Sequence, residues 1–217
     1  MKWNWSYAWE VLLELLKVVP VTIGAALTGF LIALVIGLLF MIGKRSRNQW
    51  LSRPLSFFME LIRSTPLLIQ LLFLFYALPR FGVSLSPFTA GVIGLGLHYA
   101  TYLAEVYRSG IEAVPKGQWE AAKALNFTPG QTWFRLILPQ AVPPVLPVIG
   151  NYLIVMFKET PVLSAITLVE MLQTAKSLGS ESFRYIEAFT LVGLLFLVMS
   201  YVSSLLLRRL ELQLLRK

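Results

Sequence analysis

Six polar or ionisable side chains lie within or beside long apolar stretches of this 217-residue chain: Glu60, Arg63, Gln70, Glu105, Lys158 and Glu159. Such groups near lipid usually face a cavity or a charged partner. Glu60 and Arg63 are three residues apart, which places them on one face of a helix and predicts an ion pair. Lys158 and Glu159 are adjacent, so on a helix they point about 100° apart and need not pair. Most of the six also have a purely structural interpretation.

The residue types that carry most catalysis and metal binding are scarce in this sequence. The chain has no Cys and no Asp, and its single histidine, His98, lies inside an apolar stretch without carboxylate or thiol neighbours in sequence. A lone histidine of this kind is interpreted as a packed or hydrogen-bonded residue. The nearest approach to a phosphate-binding loop, from Gly37 to Lys44, has the wrong spacing and lacks the following Ser or Thr. We therefore predict that the chain is not an enzyme and binds no cofactor or metal itself.

The composition indicates a polytopic membrane protein. Hydrophobic residues make up 57% of the chain and charged residues 14%, against about 25% charged in soluble domains. The net charge of +8 is interpreted as basic residues that fix topology and meet anionic lipid headgroups, rather than as a nucleic-acid surface.

Five apolar stretches are long enough to cross a bilayer, so the predicted fold is all-α, with five transmembrane helices. A tryptophan-rich N-terminal segment, residues 1–17, is predicted to lie at the interface, and Val162–Leu172 is predicted to be a re-entrant or interfacial helix. The predicted spans are roughly 18–43, 55–78, 88–106, 141–157 and 186–207.

Two features of these spans predict how they are shaped and packed. Pro66 removes a backbone donor, so the second helix should begin, break or kink there. Small residues recur every fourth position in the first span and again in the third, which lets another helix approach closely. The two ladders are Ala25, Gly29, Ala33, Gly37 and Gly96, Ala100, Ala104.

Lys and Arg residues are unevenly divided between the two sides of the predicted membrane. Twelve fall on one side, six on the other, and Arg63 is ambiguous. By the positive-inside rule the richer side is cytoplasmic, so the N-terminus is predicted to lie outside and the C-terminus inside. The cytoplasmic set is Lys44, Arg45, Arg47, Arg53, Arg108, Lys116, Lys123, Arg135, Arg208, Arg209, Arg216 and Lys217.

The polar interval at residues 110–140 contains several residues that are typical of helix starts and helix ends. Pro115 and Gly117 predict a turn, followed by a helix over Trp119–Leu125. Asn126 suits the left-handed position after the helix, and Thr128 with Gln131 predicts a capping box that starts a second helix. The interval is therefore predicted to be a stiff elbow on which a partner docks. We call residues 110–140 the elbow.

Several separated motifs give the chain a family resemblance. The sequence Glu120-Ala-Ala, followed by Asn126 and Pro139, resembles the Glu-Ala-Ala motif of permease subunits in ATP-binding cassette (ABC) importers. The segments 60–70, 104–111, 114–118 and 158–163 resemble the polar-amino-acid branch of that family. The resemblance extends from about Val19 to the C-terminus. One departure is Asn126, where the family usually has Gly.

The resemblance implies that the elbow's first helix docks on a cytoplasmic ATPase. It also implies an ATPase pair that binds ATP and Mg, a second permease subunit in a homodimer or heterodimer, and an extracytoplasmic solute-binding protein. The residues implied in ATPase coupling are Gly117, Trp119, Glu120, Ala121, Ala122, Lys123 and Asn126.

The resemblance further implies import of a polar amino acid or a related zwitterion, including compatible solutes such as ectoine, across the bacterial inner membrane. The six residues named at the outset then become candidates for the translocation path. Two other function classes remain open: a self-sufficient secondary transporter or channel, which would work without an ATPase, and a membrane scaffold, which would leave the capped elbow without a role.

Overall fold

A computed structural model describes the backbone of residues 2–215 and the side chains of residues 2–209. Within these residues the chain is helical and contains no strand. Short π- or 3-10 segments extend several helices: residues 73–77 and 78–81 follow α3, residues 132–137 precede α7, and residues 160–166 follow it. The α-helices are α1 Trp5–Lys44, α2 Gln49–Ser64, α3 Leu67–Leu72, α4 Pro87–Glu112, α5 Lys116–Ala124, α6 Pro129–Gln131, α7 Leu138–Glu159, α8 Met171–Ser182 and α9 Tyr185–Leu215.

Three helical stretches in the described part of the chain are long and apolar enough to cross a membrane: Trp5–Lys44, Pro129–Ile166 and Tyr185–Arg209. A fourth qualifies if α2 and Leu67–Phe81, which meet at a 105° bend, count as one span. The remaining predicted span corresponds to α4, which has 26 residues and is more than half buried. A helix enclosed by protein needs small residues more than lipid-facing apolar ones, which accounts for its lower hydropathy.

The first two predicted spans have different boundaries in the structure. α1 is a single 40-residue helix, so residues 1–17 and the predicted span 18–43 are not separated by a backbone break. The predicted span 55–78 consists of two helices, because α2 ends at Ser64 and α3 begins at Leu67. The break falls at Pro66, as predicted, because proline cannot donate to the preceding turn.

The prediction of one helix over Val162–Leu172 is wrong. The 3-10 segment of residues 160–166 ends before Thr167, whose φ of 61° is left-handed and stops the helix. A new helix, α8, begins at Met171, where the Glu170 carboxylate accepts hydrogen bonds from the backbone N–H groups of Leu172 and Gln173. The polar residues from Lys176 to Ser182 belong to this helix.

The elbow's second helix runs directly into the fourth span. Residues 129–166 form one continuous helical stretch, whereas the sequence predicted a span beginning at residue 141. The last helix begins at Tyr185, one residue before its predicted start. Of the basic residues predicted to close it, Arg216 and Lys217 lie outside the described residues.

The core is built where the two small-residue ladders meet. A Cβ placed on Gly37 in α1 would lie 2.9 Å from the carbonyl oxygen of Ala100 in α4. On the opposite ladder, a Cβ on Gly96 would lie 2.5 Å from Cγ2 of Ile32. The backbones of α1 and α4 therefore approach as closely as small residues permit, and the predicted close packing has α4 as the partner of α1.

The turn inside the elbow has the predicted chemistry. Asn126 has a φ of 52°, in the left-handed region. Its N–H donates to the carbonyl of Lys123, and the N–H of Phe127 donates to the carbonyl of Ala122, the two bonds of a Schellman cap. Thr128 and Gln131 form the predicted capping box at once afterwards. Pro115, however, precedes the first helical residue, so Gly117 lies inside α5 and not in a turn.

We predict that Gly37→Ala destabilises the protein by about 1–3 kcal/mol, because the added methyl group has to displace the α4 backbone. Gly24→Ala is the matched control on the same helix, since a Cβ there meets no atom within 4 Å. The midpoint of thermal unfolding in detergent should fall for Gly37→Ala and stay level or rise for Gly24→Ala. Equal midpoints for the two variants would contradict the close contact.

We also predict that Asn126→Gly is nearly neutral and that Asn126→Val destabilises the elbow by about 1–3 kcal/mol, because a β-branched residue resists a positive φ. The measurements are thermal stability and the rate of tryptic cleavage at Lys116 and Lys123. The valine variant should be cleaved faster, and identical behaviour of all three proteins would disprove the cap.

Candidate functional site

The outward face of α5 presents a small charged surface. Glu120, Ala121 and Lys123 are exposed, as are Gly117 near the start of the helix and Asn126 just after it. No atom lies within 4 Å of a Cβ placed on Gly117, so this end of the helix is open. The surface has one acidic and one basic side chain around an alanine, which lets another protein approach the helix backbone closely.

Two of the predicted coupling residues, Trp119 and Ala122, face the rest of this chain and not the outward surface of α5. Ala122 is 1% exposed, so it packs inside this chain and is not available to a docking partner. Trp119 is half-buried and meets Trp133 edge-on, with ring centroids 5.3 Å apart. These residues fasten the first helix of the elbow to the second, because α5 is amphipathic and its apolar face must be covered.

Sequence reasoning missed two exposed apolar residues on the elbow. Leu125 is 68% exposed and Phe134 is 75% exposed. The available signal was their position: large apolar side chains in an otherwise polar interval, at the end of one capped helix and near the start of the next. Exposed side chains of this size beside a small charged surface are typical of an interface.

An ion-pair cluster joins the ends of α1, α2 and α4. The Glu105 carboxylate lies 2.5 Å from Nζ of Lys44, 2.7 Å from Nε of Arg108 and 3.5 Å from a guanidinium nitrogen of Arg63. Arg63 also pairs with Glu60 at 2.6 Å, as predicted from their spacing. The participation of Lys44 was missed because it is 61 residues from Glu105. We call Lys44, Arg63, Glu105 and Arg108 the charge cluster.

Gln70 links the two sides of the helix break by hydrogen bonds. Its amide nitrogen lies 2.7 Å from the carbonyl oxygen of Ile62 and 3.0 Å from that of Thr65, both near the end of α2. The same nitrogen is 3.1 Å from Nδ1 of His98 in α4. His98 is therefore a hydrogen-bonded, packed residue, as predicted, and Gln70 holds the bent pair against α4.

Lys158 and Glu159 have different surroundings. Lys158 is exposed, whereas Glu159 is half-buried and its Oε2 atom is buried without a hydrogen-bond partner in the described part of the chain. Glu159 lies beside Tyr99 and His98, close enough for the Tyr99 hydroxyl to interact with its carboxylate, so the lack of a partner among the described residues concerns Oε2 alone. A buried carboxylate oxygen that lacks a partner is costly, so such an atom is a natural acceptor for a ligand's hydrogen-bond donor.

Three tyrosines form an aromatic cluster next to Glu159. The ring centroids of Tyr99 and Tyr102 are 5.9 Å apart, and Tyr152 lies 5.9 Å from the first and 6.1 Å from the second. The sequence did not single out these residues, because α4 and α7 are distant in the chain. Aromatic faces and a carboxylate together suit a small cation such as an ammonium group.

The six polar residues considered first thus divide into separate groups. Glu60, Arg63 and Glu105 belong to connected ion pairs at the helix ends. Gln70 binds backbone and His98, and Lys158 faces outward. Glu159 is the member whose position in the aromatic cluster suits a ligand.

Comparison with known proteins gives consistent matches. The family described as "Binding-protein-dependent transport system inner membrane component" matches residues 29–216. A probable amino-acid ABC transporter permease of Sinorhizobium fredii is 43% identical over 94% of this chain and 88% of its own length. The glutamine transport system permease GlnP of Escherichia coli is 31% identical over 97% of both chains.

Solved structures show the same architecture. The crystal structure of an amino acid ABC transporter with histidines contains a chain that is 32% identical, with a TM-score of 0.92 over 98% of this chain and 100% of its own. A chain of the MetNI methionine ABC transporter, at 21% identity and a TM-score of 0.73 over 98% of this chain and 99% of its own, shares the fold.

The family match covers most of the chain, and the helical architecture agrees with that of the solved transporters. Proteins of this family work in the inner membrane with a separate ATPase, which hydrolyses the ATP, and with a binding protein. The chain therefore belongs to the family of inner membrane components of binding-protein-dependent transport systems: it is an amino-acid ABC transporter permease subunit and not an enzyme.

Proposed function

We propose that the chain imports a polar amino acid or a related small zwitterion. We also propose that the elbow transmits the movement of the ATPase subunits to the membrane spans. Compatible solutes such as ectoine remain within this substrate class. The observation that supports the proposal is the continuous helical stretch of residues 129–166, which begins inside the elbow and contains Glu159. This stretch follows directly after the turn that ends α5, so it connects the helix that carries the charged surface with the carboxylate beside the aromatic cluster.

The elbow is suited to transmit force because it is stiff. α5 ends in a Schellman cap, the next helix starts in a capping box, and the Trp119–Trp133 contact holds the two helices together. A push on Glu120 and its exposed neighbours is then transmitted as a rigid-body movement, whereas a loose loop would absorb it. ATP and Mg are bound by the partner ATPase pair in this proposal.

Glu159 and the tyrosine cluster are proposed to receive the substrate's ammonium group. The unpartnered carboxylate oxygen of Glu159 would accept a hydrogen bond from the ammonium, and the faces of Tyr99, Tyr102 and Tyr152 would favour its charge. Every amino acid has such an ammonium group, so this contact recognises the class of substrate and not one side chain. Selection within the class is left to the binding protein.

The orientation and assembly follow from the same proposal. The elbow lies in the cytoplasm with the richer set of basic residues, and the N-terminus lies outside. The permease pairs with a second permease subunit, identical or paralogous, above two ATPases. A secondary transporter would differ in one measurable respect, since it would move substrate in liposomes without ATP.

We predict that Glu120→Lys leaves the protein inserted but uncouples ATP hydrolysis from uptake, lowering uptake roughly tenfold, because the reversed charge opposes its contact on the ATPase. The measurement is substrate uptake and ATP hydrolysis in vesicles that contain the assembled transporter. Glu181→Lys is the control, an equally exposed charge reversal on α8. Normal uptake by Glu120→Lys would count against the coupling role.

We predict that Glu159→Gln raises the KM for uptake about 10- to 100-fold, because the amide keeps the shape but loses the charge-assisted hydrogen bond. Lys158→Gln, at the exposed neighbouring position, should leave KM unchanged. If both variants behave alike, or if Glu159→Gln takes up substrate normally, Glu159 does not bind the ammonium group.

A further inference from the structure

α2 packs against the end of α1 and against α4. Leu55 contacts α1 at Gly43, and Phe58 meets Phe40 edge-on with ring centroids 6.1 Å apart. Eight residues further along α2 than Leu55, Arg63 reaches Glu105, the partner of Lys44. Because these α1 contacts fall in the last five residues of a candidate span, we place α2 near one membrane surface, and the chain bends by 105° after it.

The surface of α2 that does not face the protein is divided into an apolar and a polar face. Trp50, Phe57 and Leu61 are 91%, 72% and 52% exposed and lie within about 40° of one another around the helix. The polar face carries Arg53 and Glu60, also at helical spacing and also exposed. Arg53 and Glu60 lie on one flank of the exposed apolar side chains, about 40–100° from them around the helix. Exposed apolar side chains of this size beside a charged flank are characteristic of a helix lying in a bilayer interface.

Arginines surround the N-terminal end of this helix. Arg45, Arg47 and Arg53 are exposed, and they lie within eight residues of Trp50, the most exposed of the large apolar side chains. Arg45 approaches Glu112 at 4.0 Å, and within the described side chains Arg47 and Arg53 have no carboxylate within salt-bridge distance. A tryptophan at headgroup depth beside uncompensated guanidinium groups complements a surface of phosphate esters.

We propose that α2 is an interfacial helix that binds anionic phospholipid. Its apolar face enters the boundary between headgroups and acyl chains, and Arg45, Arg47 and Arg53 bind lipid phosphates. The occupant is lipid and not protein because the exposed apolar face and the arginines together match a negatively charged leaflet.

The far end of α2 connects this lipid contact to the spans. Arg63 belongs to the charge cluster, and the carbonyls of Ile62 and Thr65 are held by Gln70, which also contacts His98 in α4. A lipid-bound α2 therefore fixes the positions of the α1 and α4 ends and of the helix break. Anionic lipid is expected to regulate the transporter through this route.

The test measures lipid contact at Trp50 in the assembled transporter, reconstituted in nanodiscs. The Trp50 signal is the difference in fluorescence between the wild type and Trp50→Phe. Brominated phosphatidylglycerol should quench this signal more strongly than brominated phosphatidylcholine at equal mole fraction. In the Arg47→Gln/Arg53→Gln variant this lipid preference should fall roughly fivefold for each arginine removed.

Arg80→Gln is the matched control, an exposed arginine at the other end of the bent pair that should leave the preference at Trp50 unchanged. Two results would overturn the proposal. Equal quenching by both lipids in the wild type would mean that the arginines select no headgroup. Protection of Trp50 from both lipids would mean that a second permease subunit or the ATPase covers this face. Neither readout depends on which solute is transported.

Discussion

The packing of α1 against α4 supports everything else in this permease. Small residues on both helices bring the two backbones together, so that a methyl group at Gly37 or Gly96 has no room. In a membrane there is little hydrophobic driving force between helices, and close van der Waals contact takes its place. With α4 fixed in this way, its tyrosines, His98 and Glu105 are presented at set positions along the span.

Three structural groups depend on that central pair. The charge cluster joins α1 and α4 to the end of α2 through Glu105. Gln70 attaches the helix break to His98, half-way along α4. α7 packs against α4 near Gly110, where a Cβ would lie 2.8 Å from the carbonyl oxygen of Ala141. The helical stretch that contains α7 is continuous with the elbow, so the elbow is joined through it to the contact between α7 and α4.

The sequence predicted where helices begin, break and end, but it did not predict which distant helices pack together. The left-handed Asn126, the capping box at Thr128 and the break at Pro66 each depend on a few neighbouring residues, and all three occur as predicted. The helix predicted over Val162–Leu172 failed because Glu170 caps a new helix there, and an acidic residue inside an apolar run gives no clear boundary signal. Hydropathy alone does not identify α4 as a membrane span, because more than half of its residues are buried against other helices and many of them are small.

The sequence by itself determined the membrane environment, the helical class, the stiff elbow and the family, because hydropathy, helix caps and motifs are properties of contiguous residues. Only the tertiary structure decided which distant residues meet. It paired the two small-residue ladders, joined Lys44 to Glu105 and placed Glu159 beside the tyrosines of α4 and α7. The physical reason is that packing in three dimensions is governed by shape and charge complementarity between helix faces, which a linear pattern does not encode.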